Sequence, residues 1–198
     1  MTAGIAISVK SDLGVSPVSS IPYTLTRCWG IEMGKATILF HCVLVLLQLL
    51  ILRKNFKLKA LLQIPVGIVF GYFTSFCNYL MTFVPSPKNV VVCIGMILVS
   101  IVLVAIGIFF YLPANIIPLA GEGVMQAVSD VTNIEFSKVK VAFDITMVVI
   151  SLITCLIVIH GIGSVGLGTI MAAILVGVVL GQIMRLWSVH QERHANVL

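Results

Sequence analysis

The stretch Pro113–Asn133, PANIIPLAGEGVMQAVSDVTN, decides the fold. It follows a charge-free apolar run, Asn89–Leu112, and precedes another, Val141–Ile159, whose one charge is Asp144. After the prolines only about 15 of its residues can be helical, and Gly121, Glu122 and Gly123 are among them. A bilayer crossing needs about 20 mostly apolar residues. The segment is therefore too short and too polar to cross. The pattern predicts a helix over 118–132 that is broken, re-entrant or interfacial. Pro118 suits the start of such a helix, where the first N–H has no partner in any case.

Upstream, Ser11–Gly30, SDLGVSPVSSIPYTLTRCWG, has the same character and predicts a second short helix over 16–29. An internal repeat relates the two stretches. At a shift of 103 residues, Gly4-Ile5 falls on Gly107-Ile108, Asp12 on Asn115, Ile31-Glu32 on Ile134-Glu135, Lys35 on Lys138, Phe40 on Phe143 and His41 on Asp144. Further on the shift is 110, and Gly67-x-x-x-Gly71 falls on Gly177-x-x-x-Gly181, the added length lying in His160–Gly168. The chain reads as two repeats, 1–88 and 89–187, each with three helices plus one short one, and a cytoplasmic tail, 188–198. The remaining spans are Ala36–Leu52, Ala60–Phe83 and Thr169–Trp187. Met1 falls on Val104, inside a helix, so the first helix reads as truncated and an upstream apolar stretch is expected in the reading frame.

Composition agrees with an all-α polytopic membrane protein. Of the 198 residues, 60% are hydrophobic and 10% charged, with a mean hydropathy of +1.17. Average soluble chains have roughly 45–50% and 25%. This excludes a secreted disulfide scaffold, a disordered tail and a soluble enzyme. The net charge of +5 is read as topology rather than nucleic-acid binding, because basic residues collect in short cytoplasmic loops. With Arg53, Lys54, Lys57 and Lys59 inside and the short segments not crossing, eight basic residues lie inside and four outside. If the short segments crossed, five would lie inside and seven outside. Three crossings per repeat make the second copy enter upside down, a 3+3 inverted repeat of the kind found in secondary transporters.

Glu122 is the first candidate for chemistry. A helix N-terminus stabilises a carboxylate, and an intramembrane charge usually faces a cavity or a partner. Ser16 and Ser19 occupy the matching place in the first repeat, where capping of the short helix is the simpler reading. Asp12 and Asn115 either cap these helices or line the entrance to a shared site. The substrate-binding set is thus Glu122, Asn115, Ser16, Ser19 and Asp12. Asp144 and His41 form a second, proton-relay set, against two plainer readings: an Asp144–Lys140 ion pair four residues apart and a hydrogen-bonded packing histidine. Gly67, Gly71, Gly177 and Gly181 allow close helix approach. Their match predicts that the two helices cross near the pseudo-two-fold axis, a homodimer seam being the alternative. Pro65 is expected to kink the first of them, and Gly161–Gly168 to form a flexible outer turn. The five cysteines read as packing residues. No catalytic set, metal site, cofactor or nucleotide motif emerges.

Asp12-Leu-Gly-Val-Ser-Pro17, Leu119-Ala-Gly-Glu-Gly-Val124, Lys138-Val-Lys140 with Phe143-Asp144, and Gly166-Leu-Gly-Thr-Ile-Met-Ala-Ala173 together resemble the bacterial YczE/YitT-type integral membrane family. The resemblance implies a multi-pass protein of the bacterial inner membrane with a presumed transport role, and transfers no catalytic residue. The expected partners are the lipid bilayer and a small solute or ion, with no nucleic acid. The expected function is a small secondary transporter or exporter working by alternating access. A membrane scaffold or regulator holding a partner is the alternative, and the substrate-capturing subunit of an import complex a further one.

Overall fold

The structure, a computed structural model, describes residues 1–87, 89–111 and 117–195, side chains at 111 and 188–195 excepted. The described residues form eight α-helices and no strand: α1 Thr2–Ser11, α2 Pro17–Trp29, α3 Met33–Leu52, α4 Gln63–Thr82, α5 Val90–Tyr111, α6 Ala120–Thr132, α7 Phe136–Val158 and α8 Leu167–Ala195. Five of them, α3, α4, α5, α7 and α8, are long and apolar enough to cross a membrane. The chain is an all-helical polytopic membrane protein. Two short 3-10 turns, Arg53–Asn55 and Leu58–Leu62, carry the basic cluster between α3 and α4.

The short helices have sharp ends that their sequences explain. Pro17 opens α2, with Ser16 as the residue before it. Gly30 closes α2 in the left-handed region at φ 68°, and Asn133 closes α6 in the same way at φ 56°. Glycine reaches that region freely and asparagine tolerates it. Both α2 and α6 have 13 residues, about 20 Å of helix against a hydrocarbon core of about 30 Å. Their bounds lie 103 residues apart at both ends, as do the first residues of α3 and α7. Glu32 caps α3, accepting from the N–H groups of Gly34 at 3.1 Å and Lys35 at 3.4 Å. Partial burial pushes its carboxyl up, but bonds from Ser75, Gly34 and Lys35 outweigh that and hold it below the usual range.

Apolar packing fills two sides of the fold. Phe40, Leu44 and Val45 of α3 cluster with Ala120 and Val124 of α6 and Met147 of α7. Ile97 and Ile101 of α5 cluster with Ala172 of α8. The remaining seams join α4 to α1 and α3, α2 to α3 and α7, and α1 to α5.

Several local expectations change. The glycines of α4 do not meet those of α8. A Cβ on Gly71 would meet Ile38 and the Gly34 carbonyl, and one on Gly67 would meet His41, so this face is spent on α3. Nothing lies within 4 Å of a Cβ on Gly177 or Gly181. Small residues announce a close approach and leave the partner open. Pro65 lies in the first turn of α4, where its missing N–H costs no helical bond, and so is no mid-helix kink. The glycine turn is packed rather than flexible: Ser164 is fully buried, Gly163 lies on Cys155, and Gly168 N–H donates to the Leu13 carbonyl at 2.8 Å. α7 begins a turn early, which puts Lys138 and Lys140 on the helix. Helix α8 continues through most of the expected tail, to Ala195.

Candidate functional site

The site is built where the two short helices meet their spanning neighbours. α1 and α5 run antiparallel. Met1 lies beside Gly107, and a Cβ on Gly4 would lie 2.8 Å from Val104. At the 103-residue shift Met1 maps to Val104 and Gly4 to Gly107, so each contact is the image of the other.

Two polar seams repeat this reciprocity. In the first, Ser151 Oγ donates to Ser20 Oγ at 2.8 Å, and Ser20 Oγ lies 3.3 Å from the Met147 carbonyl. One turn on, Thr24 and Ser164 share a hydrogen bond, with Cys155 Sγ 3.8 Å from Thr24 Oγ1. Ser20 to Thr24 therefore runs in the same direction as Met147 to Cys155, and the first turn of α2 sits beside the middle of α7. In the second seam, Gln48 Nε2 donates to Gln63 Oε1 at 2.7 Å and to the Ala120 carbonyl at 3.1 Å. A Cβ on Gly123 would lie 2.5 Å from Gln48 Oε1. At the 103-residue shift Ser20 maps to Gly123 and Ser151 to Gln48. The two short helices come together at their N-terminal ends, where a Cβ on Gly121 would lie 3.5 Å from Val18, its own image.

The residues named from sequence fall in different places. Glu122 stands in the first turn of α6, outside the five candidate spans. Burial pushes its carboxyl up to about 7, against smaller downward effects from a backbone hydrogen bond and the Lys140 charge. Ser16 and Ser19 bond to each other at 3.0 Å, and Ser16 makes no capping bond to the backbone. Ser16 also lines a water-sized cavity with Ile5, Ser8, Ser100, Val104 and Ala172. Asp12 stands apart from the cavity lining. It ends α1 at φ 54°, pairs with Arg27 at 3.2 Å and accepts from Tyr23 Oη at 3.3 Å, with its side chain 62% exposed. It neither caps α2 nor reaches the cavity, because Arg27 and Tyr23 hold it at the end of the helix pair. Burial pushes the Tyr23 hydroxyl up to about 12, partly countered by Arg27. Asn115 lies outside the described residues.

His41 and Asp144 are images that live in unlike surroundings. His41 is buried against Gly67 and stacks on Phe70 at 5.6 Å, but its Nδ1 has no hydrogen-bond partner. Asp144 takes the Lys140 ammonium on Oδ2 at 2.6 Å, while its Oδ1 is buried without a partner.

Sequence reasoning missed Ser20, Thr24, Gln48, Gln63, Ser151 and Ser164. A polar residue inside an apolar run, tested at the repeat shift, is the signal that finds Gln48 and Ser151. Removing Gln48 as Gln48→Leu strands the Gln63 amide oxygen and takes away the second bond of the Ala120 carbonyl, which keeps its bond within α6. A stranded buried group costs about 1–3 kcal/mol, so the melting temperature in detergent should fall by several degrees. Gln48→Leu with Gln63→Leu should recover part of that loss. Equal melting of wild type and both variants would mean that the seam contributes nothing.

These features define a multi-pass helical membrane protein in which two short helices of equal length pack among the candidate spans. The chain belongs to a family of unknown function (DUF6198), which matches residues 1–185. It is 25% identical over 179 residues to the uncharacterized membrane protein YczE of Bacillus subtilis (strain 168), covering 89% of this chain and 77% of that one. It is also 23% identical over 201 residues to the uncharacterized protein YyaS of the same organism, covering 98% and 90%. No solved structure matches.

Proposed function

We propose that the chain is a small secondary transporter or exporter of the bacterial inner membrane, built as an inverted repeat and working by alternating access. The observation that carries this reading is the meeting of the two short helices at Val18 and Gly121, each bonded to a spanning helix of the other half. The antiparallel run of α1 and α5 supports inversion, since an axis in the membrane plane reverses the direction of equivalent helices. With the basic turn after α3 inside, the C-terminus is cytoplasmic. Positive helix ends near the membrane centre favour a polar or anionic solute group. In this reading Glu122 takes up and releases the coupling proton, and the polar seams close the two sides in turn. No catalytic step is assigned to any residue.

The test is flux in liposomes under an imposed pH gradient, with solutes first chosen by thermal-shift screening against small carboxylates, amino acids and phosphate. Wild type should move a stabilising solute together with protons. Glu122→Gln should fold and insert, yet lose proton-linked flux by about a hundredfold or more, the low end of what one proton-transfer group contributes. Because Glu122 has a raised value when folded, its contribution to stability is complete below its ordinary value of 4.5 and is lost as pH rises through about 7. Glu122→Gln should therefore melt like wild type at pH 4.5 and above it at pH 8. Unchanged flux in this variant would remove Glu122 from the mechanism. Absence of flux with any solute, together with a stable complex with a soluble enzyme, would replace transport by a scaffold role.

A further inference from the structure

The bounds of α2 and the start of α3 recur 103 residues on in α6 and α7, but one seam differs between the halves. In the first half α4 lies along α3: Gly34 meets Ser75 and the Gly71 carbonyl, Gly71 meets Ile38, and Gly67 meets His41. The images of these positions are Ser137, Val141 and Asp144 on α7, and Gly177 and Gly181 on α8. There the seam is open. Val141 is 59% exposed, a Cβ on either glycine would meet nothing within 4 Å, and Asp144 Oδ1 has no partner. The two helices are joined at one end by the packed turn over residues 160–166, and α8 lies on α5 instead.

Here one sequence pattern occurs twice in two arrangements, closed in one half and open in the other. We propose that the halves exchange them: α8 closes on α7 through Gly177 and Gly181 as α4 leaves α3. The inference deepens the alternating-access reading and rests on it. The α3–α4 seam shows that helices with this pattern can dock closely, with glycine removing the steric barrier. A packed seam is either made or broken, so two seams in one chain behave as discrete states rather than a continuous deformation. Exchange also swaps the surroundings of two polar side chains. Asp144, now beside the open seam, becomes covered by Gly177, and His41, now under Gly67, becomes uncovered.

The test is photo-crosslinking of the full chain in liposomes, with benzoylphenylalanine replacing Val141. Crosslinks from this position to the α8 peptide around Gly181, within one molecule, are expected. Adding Gly181→Leu should lower their yield at least about fivefold, the low end of what a coupled closing contact contributes. A Val141→Cys/Gly181→Cys pair in a chain whose five native cysteines are replaced by alanine, treated with a short bifunctional thiol reagent, gives the same reading should the benzophenone itself hold the helices apart. Benzophenone crosslinks to lipid alone or to a second copy of the chain, together with no bridge within one molecule for the cysteine pair, would overturn the exchange. The transport reading is judged separately. Crosslinks to α8 without flux leave the exchange standing as a motion and remove transport, whereas flux without them removes the exchange alone.

Discussion

Gly71→Leu placed in the Gly181→Leu background, which bars the exchanged arrangement, is expected to unfold this protein at temperatures where Gly181→Leu alone leaves it intact, although the two positions correspond at the 110-residue shift. At Gly71 the first added carbon already meets Ile38 and lies 2.8 Å from the Gly34 carbonyl oxygen. The backbone oxygen cannot rotate away, so the helices must separate. Overpacking of this kind costs about 1–3 kcal/mol, and occasionally more, for a well-packed site. Here the seam rests on three glycines, Gly34, Gly67 and Gly71, and its loss also strips the cover from buried His41. A cost of about 3 kcal/mol or more follows, roughly 6–12 °C in melting temperature for a chain of this length. At Gly181 a leucine enters open space and improves helix propensity by several tenths of a kcal/mol. Melting of the two variants in detergent, followed by size-exclusion chromatography, makes the comparison. A loss of that size in Gly181→Leu alone would mean that the α8 face is already occupied, by α7 or by a second copy, and that the two halves do not differ in this seam.

That contrast shows what sequence could and could not give. The short matches Ile31-Glu32 and Ile134-Glu135 are informative because they fall where α3 and α7 begin; Glu32 caps α3 with its side chain, whereas Glu135 stands at the same place before α7 without a capping bond. The ends of α2 and α6 were legible in the sequence: proline starts a helix, and glycine or asparagine stops one. The partner of a glycine face was not legible. The pattern at Gly67–Gly71 and at Gly177–Gly181 is the same, and only tertiary contact separates the packed face from the open one. The polar seams escaped notice because Ser20, Gln48, Gln63 and Ser151 stand singly in apolar surroundings, as a tolerated polar residue would. Asp12 was assigned to the solute site on position alone. Its ion pair with Arg27 and the bond it accepts from Tyr23 of the next helix are tertiary contacts that position does not show.

Gly14→Ala should be nearly as damaging, for a reason that helical propensity does not contain. Gly14 lies at φ +102°, a backbone conformation that side-chain-bearing residues rarely adopt. Holding an alanine there costs about 1–3 kcal/mol. A Cβ would also lie 2.5 Å from Thr169 Oγ1 and 2.7 Å from the Gly166 nitrogen. The second contact is with backbone, in a turn already fixed by the bond from Gly168 N–H to the Leu13 carbonyl. Together these effects cost about 3–5 kcal/mol, or roughly 6–20 °C in melting temperature. The consequence reaches the centre of the fold, because residues 13–16 set the entry of α2 and hence the place where Val18 meets Gly121. Gly177→Ala is the control and should melt at or slightly above wild type, since nothing surrounds that position. If Gly14→Ala melted like its control, the docked turn would be absent in solution. The first turn of α2 would then lose its anchor on the turn before α8, and the pairing of the two short helices with it.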